Sequence, residues 1–173
     1  MEEETLKHIL HLQVQGIKNE ELRGTVEQVL KSIPDAFWVR ESSKKYHPID
    51  ERGQNGNLRH TIKVTKLASR LADTIHHNQD EKDLLIAGAI LHDCLRHGLD
   101  GRSQWSAKDH PLLVRPLIKE LGIESEWVEP LCTLIEAHMG IWGKPPVTPL
   151  CNLSSLLHFA DYIAAQPDIE VKI

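Results

Sequence analysis

A histidine and an aspartate stand side by side at the end of an apolar run. Leu84 to Leu91 is an unbroken stretch of apolar or small residues, His92-Asp93 follow directly, and a cation comes soon after at Arg96. The run is too short to span a bilayer, which takes about 20 residues. It reads as a buried central helix, apolar all round, expected over Asp80 to Leu95 with Gly98 as its stop. A buried helix that ends in two groups of metal-ligand type is costly to build unless something binds there.

The same kind of misfit recurs along the chain. His60 opens a helical stripe shared with Val64, Leu67, Leu71 and Ile75. His110 sits at the mouth of a helix that begins at Asp109-His110-Pro111, where proline suits the first turn. His138 shares a face with Trp127, Leu131, Leu134 and Ile135, and Asp161 lies on or beside the apolar face of Leu156, Leu157, Ala160 and Ala164. His60, His92, Asp93, His110, His138 and Asp161 thus come from five different helices, which is how a helical bundle assembles a metal site from inward-facing side chains. Imidazole with carboxylate suits iron, manganese, cobalt, nickel or zinc rather than calcium. Six ligands are too many for a single catalytic metal that keeps a position open. They suit two divalent transition metals sharing a carboxylate bridge.

The remaining histidines read differently. His8 and His11 on the first helix, and His76 and His77 at the end of the His60 helix, are expected at the surface. His158 is expected on a helix surface, or else as a partner that orients a ligand. His97 follows the doublet closely enough to reach a substrate. Cys94 is expected to pack.

The elements that must position these groups are helices throughout. Leu6, Ile9, Leu10 and Val14 repeat at helical spacing up to Gly16, and Leu22, Val26, Val29 and Leu30 repeat up to Ile33-Pro34. No alternating strand pattern and no fixed-period repeat appears. The expected class is all-α, a helical bundle with the metal site in its core. Residues 1–35 are expected as an N-terminal helical extension and 36–173 as the main domain. Residues 34–59 break the helical pattern and read as a long loop of the kind that often carries function. Its Lys44, Lys45 and His47, with Arg59 at its end, are candidate contacts for a phosphate group.

Composition narrows the partners. A net charge of −5 argues against a general nucleic-acid coat but not against a small anionic substrate met by a local cation cluster. Aromatic residues make up only 5%, so stacking on successive bases is not expected to dominate. Cys94, Cys132 and Cys151 suit neither a disulfide framework nor a zinc knuckle and point to a reducing, cytoplasmic setting. Met1 is followed by three glutamates, and neither a signal peptide nor a membrane span is expected.

The order H…HD…H…H…D resembles the HD-domain superfamily of metal-dependent phosphohydrolases, over about residues 40–167. The doublet together with His60 in an HTxxV context and the downstream FADYIAA segment carries the resemblance. DHPLLVRPLIKELGI, IEAHMGIWG and HFADYIAAQ are similar to bacterial HD-type diadenosine tetraphosphate hydrolases. KKYHP and GNLRHT are similar to HD-type 3′–5′ exoribonucleases. The GYP motif of the HD-GYP proteins is not found. The resemblance implies one metal on His60, His92, Asp93 and Asp161, and a second on Asp93, His110 and His138, with a bridging hydroxide as nucleophile. Arg96 stands where the family has a lysine, and the resemblance implies that it neutralises charge developing on phosphate; Asp93 and Arg96 are the expected catalytic residues. The expected function is hydrolysis of a phosphoester or phosphoanhydride in a nucleotide-type substrate, an RNA 3′ end included. Two other readings stand beside it: a di-iron HD-type oxygenase, and a metal-containing nucleotide-binding module without turnover.

Overall fold

The computed structural model describes residues 2–75, 78–148 and 152–173. Among these residues there are only helices, turns and loops, as expected for the all-α class. Two α-helices, α1 (Glu3–Gln15) and α2 (Glu20–Ser32), form an N-terminal pair. A short α3 (Ala36–Val39) leads to a single 3₁₀ turn at Ile49–Glu51, then to α4 (Gly56–Thr74) and α5 (Gln79–Leu91). A second 3₁₀ turn at His110–Leu113 runs into α6 (Val114–Glu120), followed by α7 (Val128–Glu136), a third turn at Gly140–Trp142 and α8 (Asn152–Ala164).

Helix α5 lies at the centre, and Leu84 to Leu91 are buried all round. It packs against α4, α7 and α8, and α4 also meets α8. Gly88 makes the close approach possible: a β-carbon there would lie 2.5 Å from a methyl of Leu134 on α7. Leu6, Leu10 and Val14 of α1, with Leu22, Val26 and Val29 of α2, join the same core. The buried Asp83 of α5 ties this pair down, because its Oδ2 accepts from the backbone N–H groups of Lys18 (2.8 Å) and Asn19 (2.7 Å) in the α1–α2 turn. Asn19 and Asn78 then cap α2 and α5, each accepting an N–H through its side chain.

Several boundaries differ from the sequence expectation. The central helix stops at Leu91, not Leu95. Beyond it the winding tightens to i→i−3 bonds: Cys94 N–H to Leu91, Arg96 N–H to Asp93 and Gly98 N–H to Leu95 carbonyls. Gly98 ends the segment at φ +84°, where a residue without a β-carbon is favoured. His60 does not open α4; the helix starts at Gly56. Asn55 turns the chain at φ +60°, and Gly56 presses so closely on Glu51 that a β-carbon would lie 1.9 Å from the Glu51 carbonyl oxygen. Asn and Gly disguise this first turn, since both are poor helix formers. The loop expected over residues 34–59 holds the one-turn α3, anchored by the buried Phe37, and the 3₁₀ turn at Ile49–Glu51. Elements this short show no periodicity. His138 likewise lies just past the end of α7 rather than within it.

Candidate metal centre

The sequence expectation placed six ligands at one point, and the fold brings all six to the same place. Four imidazoles turn their Nε2 atoms toward two carboxylates. His60 comes from α4, His92 and Asp93 from the tight turn after α5, His110 from the 3₁₀ turn before α6, His138 from the turn after α7 and Asp161 from α8. Asp161 Oδ1 lies 2.9 Å from His60 Nε2 and 3.9 Å from His92 Nε2. Asp93 Oδ1 lies 2.7 Å from His110 Nε2 and 3.7 Å from His138 Nε2, while its Oδ2 lies 3.7 Å from His92 Nε2. One ligand atom each from His60, His92 and Asp161 falls within a 4.8 Å span, as does one each from His92, Asp93 and His138. His92 is common to both groups, and Asp93 meets His92, His110 and His138.

The rings are fixed from behind. Three of the four donate Nδ1–H to the carbonyl three residues earlier: His92 to Ala89 (2.7 Å), His110 to Ala107 (2.5 Å) and His138 to Ile135 (2.7 Å). This places the proton on Nδ1 and leaves the Nε2 lone pair facing the cluster, which is the tautomer a metal needs. His60 uses a carboxylate instead, with Nδ1 3.1 Å from Glu51 Oε2. Glu51 is fully buried and also meets His47 Nδ1 at 2.7 Å and Lys63 Nζ at 2.7 Å.

Charge in the cluster follows from these contacts. Burial alone would raise the Asp93 carboxyl, but the Arg96 guanidinium and the imidazoles of His92 and His110 hold it well below the usual carboxylate range. Burial would lower His60, yet hydrogen bonds to Asp161 and Glu51 outweigh it and bring the ring to about 9. His92 is lowered to about 4, chiefly by burial.

These features fit a metal. The buried His92 Nε2 has no hydrogen-bond partner. His110 Nε2 and His138 Nε2 face each other at 3.3 Å, a contact of two acceptors unless a proton or a cation lies between them. Nitrogen donors with carboxylates are the set transition metals take.

The other sequence candidates are spread around this core. Arg96 is buried, and its Nη1 donates to Asp93 Oδ2 at 2.5 Å. His47 is buried and bonded to Glu51 and Ser42. Lys44 is exposed and lies 3.6 Å from Glu41, and Lys45 is exposed with its ammonium 5.0 Å from the Tyr46 ring centroid. Arg59 is half-buried on α4. His97 is buried and pins the following loop, bonding Arg40 and the Ser103 carbonyl. His158 Nδ1 donates to the His138 carbonyl at 2.6 Å, so it supports a ligand turn. His76, His77 and Cys151 lie outside the described residues. Sequence reasoning missed Glu51 and Lys63. The one signal for Glu51 was its spacing from His47, four residues on, which puts the two on one side of a helical turn.

The family model for the HD domain matches residues 57–166, and the chain belongs to that family. HD domains are metal-dependent, and the cluster described above has donors able to meet that requirement. Among curated relatives, the chain is 34% identical over 168 residues to a dihydroneopterin 2′,3′-cyclic phosphate phosphodiesterase of Methanocaldococcus jannaschii, covering 84% of this chain and 63% of that one. It is 26% identical over 170 residues to the 3′-5′ exoribonuclease YhaM of Listeria innocua, covering 91% and 52%, and 28% identical over 163 residues to YhaM of Shouchella clausii, covering 87% and 49%. The chain thus spans about half to two thirds of the length of these relatives. No solved structure matches it. No helix among the described residues is long and apolar enough to cross a membrane.

Proposed function

We propose that this chain is a metal-dependent phosphohydrolase that cleaves a phosphoester or phosphoanhydride of a nucleotide-type substrate. The observation that carries the reading is the placement of Asp93 between His92, His110 and His138, with His60 and Asp161 completing the other half of the cluster. His60, His92, Asp93 and Asp161 would hold one metal; Asp93, His110 and His138 would hold a second. Iron, manganese, cobalt, nickel and zinc all suit the donors. When bound, such metals supply Lewis acidity that polarises a phosphoryl oxygen and acidifies water.

The chain's own residues do the rest. The carbonyls of Ala89, Ala107 and Ile135 hold three imidazoles in one tautomer, so their lone pairs are set before any ligand arrives. Arg96 fixes Asp93 Oδ2 and supplies a buried positive charge beside the place where phosphate charge would develop. Lys44, Lys45, His47 and Arg59 are proposed substrate contacts: the two lysines on the exposed turn for long-range attraction, His47 through its link to Glu51. Residues 1–35 are proposed as a helical extension that seals α4 and α5. Two relatives of different printed activity, a cyclic phosphate phosphodiesterase and an exoribonuclease, both act at phosphodiester bonds, which favours hydrolysis over oxidation or binding without turnover.

The test is a panel of mononucleotides, 2′,3′-cyclic phosphates, dinucleoside polyphosphates and short RNA, given to metal-loaded protein. Release of phosphate or nucleotide is expected from at least one class. Asp93→Asn is expected to lower that rate at least about 100-fold, the scale on which lost charge stabilisation shows in turnover. No release from any class by fully metal-loaded protein would overturn the reading.

A further inference from the structure

A cavity of about 450 Å³ opens where α1, α4 and α5 meet. Its volume lies in the range of small-molecule sites. Helix α4 supplies one wall with Ile62, Thr65, Lys66, Ser69 and Arg70, a face that recurs every three or four residues. At about 3.6 residues per turn, Ile62, Thr65, Lys66 and Ser69 fall on the side of α4 away from His60. The cavity and the metal centre therefore use different faces of one helix. Ile9 and Gln13 of α1 line a second wall, and Lys82 and Ile86 of α5 a third. Gln13 Nε2 donates to the Ile62 carbonyl at 3.1 Å, which ties α1 to α4 and holds these walls in place.

The lining joins two chemistries. Ile9, Ile62, Ile86 and Ile173 are aliphatic, and none of the described lining residues is aromatic. The charged ones are Lys66, Arg70 and Lys82, with no acid among the described lining residues, in a chain of net charge −5. Lys82 is paired with Asp73 at 2.5 Å. Lys66 and Arg70, one turn apart on α4, make no ion pair among the described residues. The tail of the chain shows what this wall accepts. Lys66 Nζ donates to the Lys172 carbonyl at 2.7 Å, while Ile173 packs against the core at the edge of the cavity. An oxygen held by a cation with an aliphatic group beside it is the pattern of an amphipathic anion.

We propose that this cavity binds a small amphipathic anion, an aliphatic chain ended by a carboxylate or a phosphate. The head group sits on Lys66 and Arg70, and the chain lies against Ile9, Ile62 and Ile86. Ammonium and guanidinium groups are the donors that form charge-assisted bonds to such a head. Aliphatic walls gain from every methylene taken out of water. Walls without a ring offer a base no stacking partner, which sets this ligand apart from a nucleotide-type substrate of the metal centre. The site stands whether or not the metal centre hydrolyses a nucleotide, because none of its residues belongs to that centre.

The test is isothermal titration calorimetry of the metal-loaded full chain with decanoate and with decyl phosphate, both kept monomeric. At least one of the two is expected to bind at least about tenfold more tightly than decanol and than inorganic phosphate, each of which lacks one half of the pattern. Its eight-carbon homologue is expected to bind about 15-fold more weakly, about fourfold for each methylene lost. Arg70→Ala is expected to weaken binding about tenfold. Ser69→Trp, which fills the cavity, is expected to remove it, and both variants keep the wild-type metal content. Leu12→Ala, exposed on α1 and outside the lining, keeps wild-type affinity. Affinity that ignores chain length, or that is equal for decanol, would overturn the proposal. So would binding that survives both cavity variants, which would place the anion on the metals instead. Sedimentation with phosphatidylglycerol vesicles, without heat from the soluble probes, would overturn it too and mark this face as a membrane contact.

Discussion

Glu51 shows how much of a site can rest on one residue outside the ligand set. Its Oε2 receives both His47 Nδ1 and His60 Nδ1, and its Oε1 receives the Lys63 ammonium. His47, Glu51 and His60 have the donor types of a metal site. Lys63 already supplies the cation there, and His60 turns its other nitrogen to Asp161. Glu51 is better understood as the group that sets the tautomer of His60. Glu51→Gln is therefore expected to weaken metal binding by roughly 10- to 100-fold, the usual scale for a lost ligand-orienting partner. Titration of the metal-free variant would measure this, and wild-type affinity would contradict it. The same substitution leaves the buried Lys63 with Asp50 alone. Breaking a buried pair costs roughly 3 kcal/mol, so the unfolding midpoint in denaturant is expected to fall as well. At this scale the sequence was informative for the ligands, because a histidine or aspartate on an apolar stripe is conspicuous. Its only pointer to Glu51 was the four-residue spacing from His47, because Glu51 sits among charged neighbours in PIDERG and looks like any solvated acid until the chain folds over it.

At the scale of elements, the site depends on where helices stop. His92, Asp93 and His138 lie just beyond helix ends, and His110 opens a short turn. Tight i→i−3 winding there gives each imidazole a carbonyl for its Nδ1–H, which a continuing α-helix would keep for its own ladder. Apolar periodicity located α1, α2, α4, α7 and α8, since each must bury a stripe, and an unbroken apolar run located α5. It misplaced the ends because ends are fixed by contacts from distant segments. The start of α4 is the clearest case: Gly56 fits only because it has no side chain against the Glu51 backbone. Gly56→Ala is expected to force that backbone apart. A drop in stability of at least about 2 kcal/mol is expected, in the range of overpacking costs, together with weaker metal binding through displacement of Glu51. Calorimetry with metal titration would check both, and an unshifted unfolding temperature would contradict the account of this junction.

For the whole molecule, the core and the site are the same construction. The helices that bury Leu85, Ile90, Leu131 and Leu157 also carry, or lead directly into, the ligand turns. Without a metal these imidazoles meet the carboxylates only by taking up protons, as His60 does beside Asp161, and the unpartnered His92 Nε2 stays buried, so metal and fold are linked. A metal that binds only the folded state stabilises it according to its concentration over its dissociation constant, about 2.7 kcal/mol at 100-fold excess. Chelation is expected to lower the unfolding temperature by several degrees and restored metal to bring it back. A midpoint insensitive to both would mean that the cluster is not metal-linked.

The proposed two-metal centre gathers six side chains from five segments, with Asp93 shared between its halves. The measurement that reaches this most directly is metal content by mass spectrometry of anaerobically purified protein, wild type beside His110→Ala. About two metals per chain are expected in the wild type, falling toward one in the variant, as for a site with its ligands divided between two ions. One metal in both proteins would remove His110 from the ligand set and reduce the centre to a single ion. No metal in either would contradict the account at its root.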